Sequence, residues 1–182
     1  MKTSASTGKR FVAFLIDWYL SSLIGSIPVI VLQSLQNHDL VISNHLEGLS
    51  LPAAWIGCIL ALGCHFIYYC YIPSKSNKNG FTGQTLGMKW MHLQILTEKE
   101  TAASLGALTL RHMLFFIVLQ GYLTSSNIYL VSVFQMTTGI YVIPYTQTFY
   151  YVVILLSLGL YFLSKKRQFI QDRLTKTKMF NC

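Results

Sequence analysis

The lysines and arginines of this 182-residue chain fall into three clusters, and this distribution constrains the fold more than any other feature. They occur at the head of the chain, in a middle stretch from Lys75 to Arg111, and in a tail from Lys165 to Lys178. Long apolar runs separate the clusters, and residues 33–51 and 125–145 contain no Lys or Arg. This is the positive-inside pattern of a multi-pass membrane protein. It predicts that both termini and the middle stretch lie in the cytoplasm.

The composition also argues against a water-soluble protein. Hydrophobic residues make up 53% of the chain and charged residues 11%, whereas soluble domains carry about 25% charged residues. The formal net charge of +8 lies beside apolar runs, where anionic lipid headgroups attract it. We therefore expect the cytoplasmic face of a bilayer as the partner of these charges, and no nucleic acid.

The apolar runs predict an all-α transmembrane bundle of four spans, forming one domain over residues 1–182. Residues 11–32 and 53–72 are each long enough to cross a hydrocarbon core of about 30 Å. Residues 112–164 contain no acid, Lys or Arg, and the basic tail favours two crossings there, at about 107–124 and 146–164. The loop 73–106 and the tail 165–182 are then cytoplasmic. Between the last two spans, the apolar piece 128–134 is too short to cross, and we expect it in the interface or re-entering the membrane.

The central loop has a glycine-rich sequence. Its spacing lacks the Lys and Ser or Thr that follow the second glycine of a P-loop, so nucleotide binding is excluded. In the later part of the loop, Met88, Trp90 and His92 alternate with other residues. This alternation predicts a short amphipathic segment along the inner leaflet, with the glycines of the loop as hinges. The residues of this loop motif are Gly83, Gln84, Thr85, Gly87 and Lys89.

Three segments of the chain match one known family. Arg10 stands at the mouth of the first span with Asp17 seven residues later, residues 83–89 form the loop motif, and residues 166–177 contain Asp172. Together they resemble the RDD family of small integral membrane proteins, named for one arginine and two aspartates. By position, Arg10, Asp17 and Asp172 would be those three residues. The resemblance implies a transporter, since some members have been linked to cation and proton exchange. Members commonly have His before the last aspartate, and Gln171 here argues against proton coupling at that position.

The ionisable residues within or beside the spans form the candidate site. Asp17 lies about 10 Å inside the membrane from the start of the first span, where a carboxylate facing lipid would cost a few kcal/mol. His65 reaches a similar depth on the second span, and Arg111 stands at the inner end of the third. The tail segment can fold beneath that end. The predicted cluster is Arg10, Asp17, His65, Arg111, Asp172 and Arg173.

Two interpretations of this cluster remain open from the residues alone. In the first, Asp17 forms a structural ion pair with Arg10 or, better, with Arg111. In the second, Asp17 titrates or binds a cation in an inward-facing cavity, with or without His65, as intramembrane carboxylates of transporters do.

Two functions are consistent with these features. The first is a small transporter or exporter of a bacterial plasma membrane, which carries a cation or a small amphiphilic solute. We expect a homo-oligomer, because transporter sites usually lie at repeat or bundle interfaces and four helices make a narrow bundle. The alternative is a non-transporting membrane partner, such as an immunity, stress or assembly factor, whose basic tail and glycine loop dock another protein.

Enzyme chemistry is not expected, since the chain shows no catalytic triad, paired catalytic carboxylates or HExxH motif. No cofactor is implied. Residues His38, Asp39, His45 and Glu47 lack the rigid spacing of a metal site, and we predict no metal.

Overall fold

The computed structural model describes residues 3–37, 45–46, 48–75, 82–113, 124–163 and 168–182. Within these ranges the chain is mostly helical. The helices, numbered in chain order, are α1 (Thr7–Asn37), α2 (Leu51–Ser74), α3 (Leu86–Trp90), α4 (Leu105–Thr109), α5 (Ser125–Thr138), α6 (Ile143–Leu163) and α7 (Ile170–Leu174), and the strands are β1 (Leu93–Thr97) and β2 (Thr177–Asn181).

Three of these helices, α1, α2 and α6, are long and apolar enough to cross a membrane. They contain the predicted spans 11–32 and 53–72 and most of 146–164. α1 has 31 residues, about 46 Å at 1.5 Å per residue, so it exceeds the hydrocarbon core at one end or both. α2 includes a π-helical stretch, Ile67–Tyr71. It has Pro52 in its first turn, where a missing N–H costs little, and it ends one residue after Pro73.

The third predicted crossing, residues 107–124, lies only partly within the described residues and is not among the three candidate spans. α4 begins at Leu105 and is capped by Ser104, whose Oγ accepts a hydrogen bond from Ala107 N at 3.2 Å. Helical turns continue to residue 113, and residues 114–123 lie outside the described residues. Thr124 has an extended backbone (φ −100°, ψ 133°) and precedes α5. Residue 124 therefore begins a second helix instead of ending the predicted span.

α5, which includes the apolar piece 128–134, packs lengthwise against α2. Ser126 Oγ lies 2.7 Å from His65 Nδ1. Nearer the other end of α5, Trp55 Nε1 donates to Thr137 Oγ1 at 3.2 Å, so the two helices are antiparallel. The polar first turn of α5 lowers the mean hydropathy of this segment, so its sequence does not indicate a buried helix. Ser126 in that turn is nevertheless fully buried against α2.

The central loop and the tail form a two-stranded antiparallel sheet, which the all-α prediction missed. β1 pairs with β2 so that Ile95 lies opposite Met179. The head of the chain joins them, because Ala5 N donates to Met179 O at 3.1 Å. The three basic segments predicted to share one side of the membrane therefore meet at one end of the bundle.

Two apolar clusters hold the bundle together, and they lie at opposite ends of α2. At the end where the termini meet, burial of apolar side chains away from water favours packing of the sheet against the helices. The cluster at that end contains Ala5, Ala13, Tyr68, Tyr69, Cys70, Met88, Leu93, Ile95, Ala103 and Leu108. The cluster at the other end contains Val29, Leu46, Leu49, Ala54, Cys58, Ala61, Tyr129 and Val133.

Candidate functional site

Asp17 accepts three hydrogen bonds at the junction of α1, α2 and the central loop. Its side chain is buried, with 3% of the residue exposed. Tyr68 Oη donates to Asp17 Oδ1 at 2.5 Å, and Thr85 Oγ1 donates to Oδ2 at 2.5 Å. Gly87 N donates to Oδ1 at 2.8 Å. The carboxylate is therefore satisfied by the protein itself, as buried polar groups usually are.

The glycines of the loop motif are held in close packing, in contrast to the predicted hinges. α3 approaches α1 so closely that a Cβ on Gly87 would lie 2.5 Å from Ala13 O and 2.8 Å from Asp17 Oδ1. Gly83 has φ +68°, and a Cβ there would collide with Ile95 O. Only glycine fits such positions without displacing backbone.

The other members of the loop motif position α3 and β1. Thr85 is the N-cap of α3, and its Oγ1 accepts from Met88 N at 3.4 Å while donating to Asp17. Gln84 is buried, and its Nε2 donates to Leu93 O at 2.8 Å. Lys89 is half-buried on α3. The motif thus builds a capped turn between α1 and the sheet.

Arg10 and Arg111 both pair with Asp172, which α7 places beneath the spans. Arg10 Nη1 lies 3.7 Å from Asp172 Oδ2, and Arg111 Nη1 is in closer contact with Oδ1. Each guanidinium also reaches the tail strand: Arg111 Nη1 donates to Thr177 Oγ1 at 2.7 Å, and Arg10 Nη2 donates to Met179 O at 3.1 Å. All three charged side chains are buried.

The predicted ion pair of Asp17 with Arg10 or Arg111 is therefore wrong. The tail folds back under the bundle and brings Asp172 to both arginines, while the loop supplies neutral donors to Asp17. Arg173, the neighbour of Asp172, is exposed and lies outside the cluster.

His65 is separated from Asp17 by an aromatic stack. Its Nδ1 contacts Ala61 O and Ser126 Oγ, at 3.1 and 2.7 Å. Tyr69 lies between His65 and His112, with ring centroids 6.0 and 5.1 Å away. The Tyr69 hydroxyl donates to the main-chain oxygen of Asp17 at 3.1 Å. The histidine is thus linked to the Asp17 region through this tyrosine.

Sequence reasoning missed several residues of this site. Tyr68 and Tyr69 lie within the predicted span 53–72, and His112 lies within the predicted span 107–124. The sequence did carry a sign of their role: each has a polar atom within an apolar run, and such an atom requires a partner inside the bundle. Thr177 carries no such signal, since it contacts Arg111 only because β2 pairs with β1.

A cavity of about 510 Å³ lies beside this site. Arg10, Arg111 and His112 line it at the end where the tail packs, and Asp17 and Tyr69 border it from α1 and α2. Its remaining wall is mainly apolar and comes largely from α1 and α6. The volume falls within the range of about 300 to 1,000 Å³ for small-molecule sites.

Among the described residues, no three or more His, Cys, Asp or Glu side chains come together as a metal site. His38, Asp39 and Glu47 lie outside the described residues, so the structure does not test the outer loop.

Comparison with known proteins gives one match. A family model described as the RDD family matches residues 4–176, nearly the whole chain. No curated protein and no solved structure matches the chain.

Proposed function

Since the chain belongs to the RDD family, we propose that this membrane protein is a small transporter whose solute occupies the cavity between α1 and α6. The observation that supports the proposal is the cavity itself. It combines a mainly apolar wall with buried charged and polar groups at one end. Solute sites of this kind bury most of the ligand in apolar surface and orient it by a few polar groups.

Of the two solute classes expected from the sequence, the geometry favours the small amphiphile over the cation. A cation would need carboxylate or carbonyl oxygens with free lone pairs. Asp17, the acid bordering the cavity, already accepts from Tyr68, Thr85 and Gly87. Asp172 is held between two arginines. An amphiphile needs an apolar wall and a polar end, and the cavity has both.

The alternative function, a docking factor that uses the glycine loop and basic tail, has less support. Gly83, Gln84, Thr85 and Gly87 are buried within the protein's own interior. The tail strand is paired with β1. A partner would have to bind other surfaces or displace these contacts.

The proposal includes the plasma membrane of a bacterium as location and a homo-oligomer as the working form. Exposed side chains on α6, among them Leu155, Leu156 and Leu163, suit either lipid or a second copy. The exposed basic residues of the loop and tail suit anionic headgroups.

Transport can be tested in liposomes with fluorescent amphiphiles that share one tail. NBD-hexyl phosphate, NBD-hexyl trimethylammonium and NBD-hexanol are loaded inside, and external dithionite quenches each molecule that crosses. We expect the protein to accelerate quenching of at least one probe over protein-free liposomes. Ser157→Trp, which fills the cavity from α6, should abolish the acceleration.

The matched control is Leu156→Trp, because Leu156 is the chain neighbour of Ser157 and 60% exposed. It should leave the quenching rate unchanged. If no probe crosses faster than in protein-free liposomes, the transport proposal is overturned. If the inactive protein also copurifies with one defined partner, the docking function is favoured.

A further inference from the structure

We propose that the cavity binds a single-chain anionic amphiphile, with its carboxylate or phosphate head at Arg10 and its chain between α1 and α6. The inference deepens the proposed function by naming the chemical class of the solute. It rests on that function for transport, whereas binding can be measured without transport.

Two buried side chains on the cavity wall have polar atoms without a hydrogen-bond partner. Arg10 is 7% exposed, and its Nη2 donates to Met179 O. Its Nη1 lies 3.7 Å from Asp172 Oδ2, beyond hydrogen-bond distance, and neither Nη1 nor Nε has a hydrogen-bond acceptor among the described residues. His112 is also 7% exposed, and its Nε2 has no partner in the described part of the chain. Buried polar atoms of native proteins nearly always have partners. A ligand with an oxygen-rich head would supply acceptors to Arg10 and a hydrogen-bond partner to His112.

The charges at this end of the cavity favour an anion. Arg10 and Arg111 carry two positive charges against the single negative charge of Asp172. Asp17 lies two turns along α1 from Arg10, about 10.5 Å along the axis, and its carboxylate is engaged by three donors. The guanidinium fork of arginine matches the paired oxygens of a carboxylate or phosphate.

Beyond the arginines the cavity offers an apolar path for a chain. Phe11 and Phe14 line it from α1, and Ile154, Leu158 and Phe162 line it from α6. Phe11 is 59% exposed and Phe162 is 74% exposed. These two rings place the cavity next to the lipid-facing surface of the helices. A single alkyl chain fits the 510 Å³ better than a lipid with two chains.

Binding is tested with the full chain in phosphatidylcholine nanodiscs, using radiolabelled dodecyl phosphate and dodecyl trimethylammonium. We expect saturable binding of the phosphate and none of the ammonium compound. Arg10→Gln should weaken phosphate binding about tenfold or more, because a charge-assisted hydrogen bond is lost from a buried site. Lys9→Gln is the matched control, since Lys9 is the exposed neighbour, and it should bind as the wild type does.

A second measurement uses the wild-type protein and so does not depend on how the Arg10 variant folds. Dodecyl phosphate with a diazirine at the chain end is photo-crosslinked, and the adducts are mapped by mass spectrometry. Adducts on Phe14, Ile154 or Leu158 support the site. Adducts confined to the exposed face of α6 that points away from the cavity, such as Leu155 or Leu163, overturn it. Equal binding of the phosphate and ammonium compounds also overturns it.

Competition identifies the source of the amphiphile. Displacement of dodecyl phosphate by phosphatidic acid, which has two chains, overturns the single-chain occupant, and failure to displace it supports a free single-chain amphiphile. Phosphate-selective binding without flux of any probe overturns the proposed transport but not this site. Flux without preference for the anionic head overturns this inference alone.

Discussion

Thr85 Oγ1 lies 2.5 Å from Asp17 Oδ2, so the central loop is hydrogen-bonded to the carboxylate buried in the first span. The residues are 68 positions apart in the chain. Thr85 also caps α3, which means that one hydroxyl both starts a helix and anchors it to α1. Asp17 therefore has a structural role in this conformation.

Asp17→Asn and Thr85→Val should each destabilise the protein by about 1–3 kcal/mol, because each leaves a buried polar group without its partner. Since both changes break the same hydrogen bond, the double variant should cost less than the sum of the two. The free energy of unfolding is measured by SDS titration in mixed micelles.

Thr85→Ser is the control for this pair, since it keeps the hydroxyl, and its loss of stability should be clearly smaller than that of Thr85→Val. Additive losses in the double variant would show that the two residues act independently. If Asp17→Asn keeps the wild-type stability and loses only transport, the carboxylate is a functional site and the structural interpretation fails.

Gly87→Ala should destabilise the protein by about 1–3 kcal/mol, as overpacking of a filled interior does. The added Cβ would meet Ala13 O at 2.5 Å, and main-chain atoms cannot move aside as a flexible side chain can. Gly106→Ala is the matched control, because nothing lies within 4 Å of a Cβ there. It should be neutral or stabilise α4 by up to about 1 kcal/mol. Equal thermal midpoints for the two variants in size-exclusion chromatography would refute the close approach of α3 to α1.

Three of the four predicted spans and the meeting of the three basic segments could be predicted because their signals are local. An apolar run long enough to cross a membrane is read from its own residues, as α1 and α2 show. The identities of Arg10, Asp17 and Asp172 as site residues also follow from short segments of sequence. Their partners do not, because Arg10 and Asp172 are 162 positions apart and meet only when the tail folds back.

The sheet and α5 were missed for related reasons. β1 and β2 have five residues each, and a short strand becomes stable only through its distant partner. α5 carries Ser126 and Asn127 in its first turn, which lowers its hydropathy. The structure offsets this by pairing Ser126 with His65 and Asn127 with Tyr150, contacts that a single sequence does not reveal.

Asp172→Asn should be among the most damaging single changes, costing about 3–5 kcal/mol, because it leaves two buried guanidinium groups without a counter-charge. Arg111 is 3% exposed and Arg10 is 7% exposed, so water cannot replace the carboxylate fully. The yield of monodisperse protein and its SDS unfolding curve measure the loss.

The control for this change is the next residue. Arg173 is exposed, so Arg173→Gln should change the stability by no more than about 0.5 kcal/mol. Comparable losses of stability for the Asp172 and Arg173 variants would mean that the ion pairs of Asp172 with Arg10 and Arg111 do not hold the tail in place.

Labelling of Cys182 tests on which side of the membrane the shared end of the bundle lies. Its thiol is exposed, whereas Cys58 and Cys70 are buried. Cys64, which is half-buried, is first replaced by Ser. If the basic segments are cytoplasmic, as the positive-inside pattern predicts, a membrane-impermeant maleimide should label Cys182 in inside-out vesicles and leave it unlabelled in intact cells. A gel shift after reaction with a polyethylene glycol maleimide reports the labelling.

The buried thiols serve as internal controls in the same sample. Cys58 and Cys70 should react only after denaturation, because their side chains are packed against neighbouring helices. Replacing Cys182 with Ser should abolish the shift in inside-out vesicles. Labelling of Cys182 in intact cells would place the sheet, the loop motif and the arginine end of the cavity on the outer face. The predicted orientation would then be reversed.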